Sequence, residues 1–130
     1  MKLFIDNNLP PRLARGLAAL FQGDHEVVCH RDKYGDTHLL DEEWIPALGV
    51  EGDWVVLSGD LNIARRRPQR ELFFRSRLVG FFPRAAVMEL PLPKKAARIL
   101  SVWDRMVGLA RDVRPGVFEL QQRGEQFRAL

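Results

Sequence analysis

The chain has 130 residues, of which 46% are hydrophobic and 28% are charged, and its formal net charge is +3 at pH 7. This length predicts one domain, and this composition is close to the average for globular proteins. No apolar run approaches the roughly 18 residues that cross a bilayer, and Asp6 stands too early for a signal-peptide core. The single cysteine, Cys29, has no disulfide partner, so the sequence predicts a reduced cytoplasmic protein without a membrane segment.

The first forty residues alternate between apolar runs and helical periodicity. Residues 2–5 predict a strand that ends at Asp6. A helix is expected from Pro11 to just before Gly23, because leucines recur at helical spacing and proline suits a first turn. Residues 26–30 predict a second strand, and residues 31–40 predict a polar loop.

The middle of the chain repeats the pattern. Asp41 is expected to be the N-cap of a helix, which Pro46 would make irregular. Residues 54–57 are continuously apolar, as in a strand buried on both faces. Residues 64–77 are basic and are expected to be helical after their proline, and residues 78–82 predict a fourth strand.

The last third predicts one long helix over residues 93–111, and residues 117–120 and 127–130 predict a terminal hairpin or short strands around Gly124. Strands that alternate with helices indicate a parallel sheet with right-handed crossovers. We therefore expect a single α/β domain over residues 1–130, with a central parallel sheet of about four strands flanked by helices. Its core spans about residues 2–83, and residues 93–130 form a small C-terminal extension.

Carboxylates follow two of the predicted strands directly. Asp6 follows the first strand and Asp60 the third, so in a parallel sheet both emerge at the same edge, where ligands bind. Asp41, Glu42 and Glu43 begin a helix that can reach the same edge. Such acids repel one another unless a cation lies between them, and hard oxygen ligands suit Mg²⁺ or Mn²⁺. Each acid also has a structural interpretation, as a turn, cap or loop residue.

Other polar side chains could assist these acids. Asn7 and Asn8 could form hydrogen bonds at this edge or shape the turn into the first helix, and Ser58 could orient a ligand water or fill the strand end. Sixteen of the twenty basic residues are arginine, which pairs with phosphate through a planar fork. The densest cluster indicates either a solvated helix face or a groove for an RNA backbone; it comprises Arg65, Arg66, Arg67 and Arg70.

The remaining candidates favour structural roles. The three histidines show no metal-binding spacing, the three tryptophans lie on apolar faces, and Cys29 lies in an apolar strand rather than in a nucleophile's setting. These side chains are His25, His30 and His38, and Trp44, Trp54 and Trp103.

Four segments of the chain form a familiar series. They are Phe-Ile-Asp-Asn-Asn-Leu-Pro-Pro at 4–11, His-Glu-Val-Val at 25–28, Asp-Glu-Glu-Trp-Ile-Pro-Ala-Leu at 41–48 and Trp-Val-Val-Leu-Ser-Gly-Asp at 54–60. Together these segments resemble PIN-like domains of the VapC toxin type. The resemblance covers about residues 2–83, and the C-terminal third matches only loosely.

The resemblance implies a PIN fold that cleaves RNA with Mg²⁺ or Mn²⁺. It also implies a toxin inhibited by a protein antitoxin, and a homodimer as is usual in that family. Asp6 and Asp60 match the first and the later family acid, and Ser58 matches the hydroxyl position two residues before the later acid. Asp41 is the choice for the middle acid, with Glu42 as the alternative.

Two departures keep a second function open. Asn7 stands where many relatives have glutamate, and Asn62 stands where a further acid is common. The loss of negative charge should weaken metal binding, which motivates the alternative of a binding module for protein or nucleic acid. A receiver-like phosphoacceptor would also gather aspartates at strand ends, but it needs an acidic pair after the first strand and a lysine after a late strand, and the sequence has neither.

Overall fold

The computed structural model of this chain describes residues 1–36 and 39–130, so the expected role of His38 lies outside the described residues. Within these ranges the chain forms six strands and eight helices. In chain order they are β1 (Lys2–Ile5), α1 (Pro11–Leu20), β2 (Glu26–Cys29), α2 (His30–Tyr34), α3 (Asp41–Glu51), β3 (Trp54–Leu57), α4 (Leu61–Arg65), α5 (Arg67–Arg75), β4 (Val79–Pro83), α6 (Ala85–Met88), α7 (Leu92–Ser101), α8 (Trp103–Asp112), β5 (Gly116–Leu120) and β6 (Arg128–Ala129).

The sheet confirms the α/β class but is larger than expected. Its order is β2-β1-β3-β4-β5-β6. The first five strands in this order are parallel, and β6 is antiparallel to β5. The expectation of about four strands was wrong because β5 is fully buried and pairs with β4 along its whole length. The sheet is therefore mixed, and the C-terminal third supplies two of its strands.

Both faces of the sheet are covered, as the continuous apolar strands predict. Leu3 and Ile5 face a layer made by α1, α7 and α8, whereas Phe4 faces a layer made by α3, α4 and α5. The three tryptophans expected in the core are at most 3% exposed. Cys29 is buried and unpaired, as expected for a strand residue.

Some local predictions were wrong. His30, expected to end the second strand, and residues 31–34, expected in a loop, form α2, and α6 was not expected. The long helix predicted over 93–111 is divided at Val102, whose φ of −114° and ψ of 11° leave the helical region. The basic segment is helical after its proline, as predicted, because α5 carries that proline in its first turn, where no N–H is needed.

Helix α3 begins one residue earlier than a capping role for Asp41 requires. Leu40 is the N-cap and Asp41 is the first helical residue, so the predicted N-cap was wrong. Glu43 fills part of that role, because its Oε1 accepts a hydrogen bond of 3.2 Å from the backbone N–H of Leu40. The helix continues through Pro46.

Among the described residues, no helix combines the length and the apolar character needed to cross a membrane.

Candidate functional site

The predicted acids lie where the strand order reverses. The chain passes from β1 to β2 on one side and then returns to β3 on the other side of β1. Ile5 and Leu57 are partners in the register, so Asp6 and Ser58 leave adjacent strands side by side. In open α/β sheets, ligands bind beyond the carboxyl ends of the strands at such a switch point. The topology therefore places this pair in the usual position of a binding site.

Asp6 is a buried carboxylate with both oxygens engaged. Asp6 is only 8% exposed. Oδ1 accepts a hydrogen bond of 2.7 Å from the backbone N–H of Asn7, and Oδ2 accepts one of 2.9 Å from the hydroxyl of Ser58. A buried carboxylate is tolerated when donors of this kind satisfy it. Asp6 is therefore fixed in one orientation at the strand end.

The hydroxyl of Ser58 connects the two strand ends. Ser58 is fully buried. Its Oγ donates to Asp6 and accepts hydrogen bonds from the backbone N–H of Asp60, at 3.1 Å, and from Nδ2 of Asn8, at 3.3 Å. Two acceptor sites and one donor exhaust what a hydroxyl offers. Asp6 and the backbone of Asp60 are thus both held within 3.1 Å of one oxygen atom.

Asn8 forms a second connection between the same two loops. Its Oδ1 accepts a hydrogen bond of 2.9 Å from the backbone N–H of Gly59, while its Nδ2 donates to Ser58. Of the two roles that the sequence left open for this residue, these contacts are hydrogen bonds at the edge, and one amide bridges the loop after β1 and the loop after β3. A Cβ on Gly59 would lie 2.5 Å from Cε of Met88, so this loop is closely packed from the other side.

Asp60 has a capping role as well as its place at the edge. It is the N-cap of α4, and its Oδ1 accepts a hydrogen bond of 3.0 Å from the backbone N–H of Asn62. Asp60 is half-buried, whereas Asn62 is exposed. Across residues 1–36 and 39–130, Oδ2 of Asp60 accepts no hydrogen bond, so the hydrogen bonds of the described chain engage only one of the two carboxylate oxygens.

Asp41 is influenced by the other acids through charge. Its half-buried carboxylate accepts a hydrogen bond of 3.1 Å from the indole N–H of Trp44. Burial raises the pKa of Asp41, and the negative charges of Asp6, Asp60 and Glu42 raise it further, against the lowering effect of Trp44. Asp41 is therefore close enough to Asp6 and Asp60 for their charges to act on it, although burial is the larger cause of the raised pKa.

The arginine cluster divides into two side chains with partners in the described chain and two without an ion pair. Pro68 has no N–H for the carbonyl of Ala64, and Nη1 of Arg70 donates to that carbonyl at 2.8 Å, with its guanidinium 4.7 Å from the ring centre of Phe74. Arg67 forms an ion pair with Glu71 at 2.9 Å. Arg65 and Arg66 are exposed, and no ion pair engages them within the described part of the chain.

The sequence as a whole was compared with protein families and with known proteins. A family model described as a PIN-like domain matches residues 1–85. The chain belongs to the PIN-like domain family. The match includes β1 to β4 and all three predicted aspartates, and it confirms the PIN-like part of the resemblance. Searches of the curated proteins and of the solved structures found no match. A PIN-like domain has a nuclease-type fold, with which hydrolase chemistry is consistent.

The donor chemistry of this PIN-like domain suits a hard divalent cation. Within residues 1–36 and 39–130, no group of three or more His, Cys, Asp or Glu side chains is arranged to hold a metal ion. Mg²⁺, however, commonly keeps several waters and uses only one or two carboxylates. Asp6 and Asp60 would offer two such carboxylates from neighbouring strand ends, which the hydroxyl of Ser58 connects through the side chain of Asp6 and the backbone of Asp60. The assignment of Asp41 and Glu42 as ligands stays a prediction.

One basic residue at this edge was not among the candidates predicted from the sequence. Arg84 directly follows β4, which is adjacent to β3 in the sheet, so it leaves the sheet at the same edge as Asp60. Its position after a predicted strand is the same kind of signal that identified Asp6.

Proposed function

We propose that this PIN-like domain is a divalent-metal-dependent ribonuclease, and that it is the toxin of a VapC-type toxin–antitoxin pair. The observation that carries the proposal is the hydroxyl of Ser58, which joins the buried carboxylate of Asp6 to the loop of Asp60 at the switch point of the sheet. A buried acid fixed this closely at a strand end is the kind of pre-oriented group that catalytic sites need.

Mg²⁺ or Mn²⁺ would be held by Asp6 and Asp60, with Asp41 or Glu42 as a further ligand. When bound, such an ion activates water and stabilises negative charge on a phosphodiester. The chain's own groups keep the ligands in place. Ser58 and the backbone of Asn7 orient Asp6 through two hydrogen bonds, and Asn8 prevents the two loops from separating.

Positive charge near the acids would hold the substrate. Arg65 and Arg66 are exposed and follow Asp60 within α4 and its end. Arginine binds phosphate through paired hydrogen bonds, and contacts to phosphate provide affinity without reading base sequence. Arg67 and Arg70 could join only by leaving Glu71 and the carbonyl of Ala64. RNA is the proposed substrate, a protein antitoxin the proposed inhibitor, and a homodimer the proposed assembly.

The experiment is cleavage of a mixed RNA substrate with Mg²⁺, with Mn²⁺ and with EDTA. We expect cleavage with either ion and none with EDTA. Asp6→Asn and Asp60→Asn should each lower the rate by more than the roughly 10- to 100-fold typical of groups that only orient a ligand. The matched control is Asp104→Asn, which makes the same change at an exposed position on α8. Unchanged cleavage in both site variants would refute this mechanism.

A second function is favoured by two side chains. Asn7 and Asn62 are both exposed at the site edge, where amides provide no negative charge. A PIN-like domain that binds protein or nucleic acid without catalysis would fit this reduced charge. Calorimetric titration with Mn²⁺ distinguishes the two functions, because the nuclease must take up the ion and the binding module has no need of it.

A further inference from the structure

We propose that Arg84 is a phosphate-binding residue of this site, holding an RNA phosphate beside the one that is cleaved. The inference deepens the proposed nuclease function and rests on it. Leu57 in β3 and Phe81 in β4 are register partners. Beyond this pair β3 turns into α4, with Asp60 as the N-cap, while β4 continues to Pro83 and Arg84 follows it directly. The acid and the arginine therefore leave adjacent parallel strands at the same edge of the sheet.

Helix α6 fixes the position of Arg84 relative to the site. The backbone N–H of Met88 donates to the carbonyl of Arg84 at 3.1 Å, so Arg84 begins the turn that Met88 completes. The side chain of Met88 lies directly against Gly59, the residue before Asp60. The backbone N–H of Arg84 also donates to the carbonyl of Leu120 at 3.0 Å, which ties the start of α6 to the end of β5. The segment that carries Arg84 is therefore packed against the site loop from one side and against the sheet from the other.

The side chain of Arg84 is available to a ligand. It is exposed, and over residues 1–36 and 39–130 its guanidinium forms neither a hydrogen bond nor an ion pair. The first turn of α6 contains no acidic residue, and Glu89 lies at the opposite end of that helix. Arg70 and Arg67 differ in this respect, because a carbonyl and a carboxylate already engage their guanidinium groups.

Opposite charges side by side on one sheet edge match the charge pattern of a cleavage site on RNA. The acids on the β1 and β3 side would bind the metal, and with it the phosphate under attack. An arginine one strand away meets the next negative charge along the backbone, and its planar fork suits two phosphate oxygens. Because the contact is to phosphate and not to a base edge, it should strengthen binding equally for every sequence.

The test measures RNA binding apart from cleavage. Asp60→Asn is the common background, since asparagine keeps an oxygen for the cap to Asn62 while cleavage should be slow enough for binding to be measured. Fluorescence anisotropy with labelled single-stranded RNAs of three different sequences, in Mn²⁺, is measured over a series of salt concentrations. Adding Arg84→Gln should weaken binding about three- to tenfold for all three RNAs, and should lower the salt slope by roughly 0.7, the value for one phosphate contact on a single strand.

The control is Arg75→Gln in the same background. Arg75 is also exposed, but it is the last residue of α5. It therefore lies near the start of β4, at the opposite edge of the sheet from Arg84. Equal effects of the two variants, or an Arg84→Gln effect confined to one RNA sequence, would overturn the role of Arg84. The nuclease proposal would still stand in that case if the native chain cleaved RNA. If the native chain left RNA uncut with Mn²⁺ and the background variant bound no RNA, both proposals would fail together.

Discussion

At the scale of single residues, Ser58 is the group on which the site geometry depends. Its hydroxyl serves Asp6, Asn8 and the backbone of Asp60 at once, in a fully buried position. We expect Ser58→Ala to lower the free energy of unfolding by about 1–3 kcal/mol, because buried polar groups lose their partner. RNA cleavage should fall about 10- to 100-fold, as is typical when the group that orients a ligand is removed.

Ser101→Ala is the matched control for this variant. Ser101 is exposed, and its hydroxyl donates to the carbonyl of Arg98 within α7. Its removal should leave both urea unfolding and cleavage nearly unchanged. A Ser58→Ala protein with full activity would show that the position of Asp6 does not depend on this hydroxyl.

Asp41 should make stability depend on pH. Its pKa in the folded chain is raised, chiefly by burial and then by the charges of Asp6, Asp60 and Glu42. The folded state therefore binds the proton more tightly than the unfolded state, and the contribution of Asp41 to stability falls as the pH rises from the ordinary carboxyl pKa through the raised one. In EDTA, Asp41→Asn should raise the Tm at pH 7, and this gain should vanish below the ordinary carboxyl pKa.

Thermal unfolding followed by circular dichroism at several pH values tests this expectation. Asparagine can still accept the hydrogen bond from Trp44, so packing is preserved. Glu42→Gln, at the exposed neighbouring position, is the control and should change the Tm less. A Tm of Asp41→Asn that is no higher than that of the native chain at pH 7 would contradict the prediction.

Much of the site could be predicted at this scale because its signals are local. Asp6, Ser58 and Asp60 were identified from their positions directly after apolar strands. The capping role was assigned to Asp41 because aspartate is a common N-cap. The helix starts one residue earlier, however, and the carboxylate of Asp41 accepts a hydrogen bond from the indole N–H of Trp44 instead. The role of Arg70 could not be foreseen, since it depends on which carbonyl Pro68 leaves without a donor.

At the scale of elements, the strands were more predictable than the helices. β1 and β3 have the predicted bounds, because continuous apolar runs mark buried strands. The division between α7 and α8 was not visible, since the periodicity continues across it. Ile99, Val102, Trp103 and Met106 all enter the core, and both helical segments bury their faces on one side of the sheet. Only the sheet beneath decides where such a helix must bend.

Gly80 in β4 allows the close packing of the sheet against α5 to be tested. A Cβ on Gly80 would lie 2.6 Å from Phe82 and 2.8 Å from Phe73, both of which are fully buried. We expect Gly80→Ala to destabilise the fold by about 1–3 kcal/mol, because the added methyl group overpacks the layer between β4 and α5. Urea unfolding measures this loss.

Gly108→Ala is the matched control for that change. Gly108 lies in α8, and nothing lies within 4 Å of an added Cβ there. Alanine should stabilise this helix by up to about 1 kcal/mol, because glycine loses more backbone freedom on folding. The same substitution should thus have opposite signs at the two positions. Similar effects at both would mean that the layer between β4 and α5 can accommodate a methyl group.

At the scale of the whole molecule, the sequence predicted the class of sheet but not its order. Every βαβ unit can add its strand on either side of the existing sheet, and the choice depends on which faces the later helices cover. The reversal at β1 is what brings Asp6 beside Ser58. The pairing of β5 with β4 could not be predicted from the sequence either, because the pattern of residues 117–120 is equally typical of a strand in an isolated hairpin.

The family match ends at residue 85, but the core continues beyond it, which yields a prediction about truncation. Residues 86–130 supply β5 and the helices α7 and α8, which cover Leu3, Ile5 and the buried face of α1. A fragment of residues 1–85 would expose that face and the edge of β4, so it should lose cooperative thermal unfolding.

A chain ending at Gln121 is the control, since it keeps β5, α7 and α8 and removes only β6 and the segment before it. It should unfold cooperatively with a lowered Tm, because the partly buried Phe127 and Leu130 no longer pack against the core and Arg98 loses its hydrogen bond to the carbonyl of Gly124. A cooperative transition in the 1–85 fragment would show that the matched segment folds alone and that the C-terminal third is dispensable for the core.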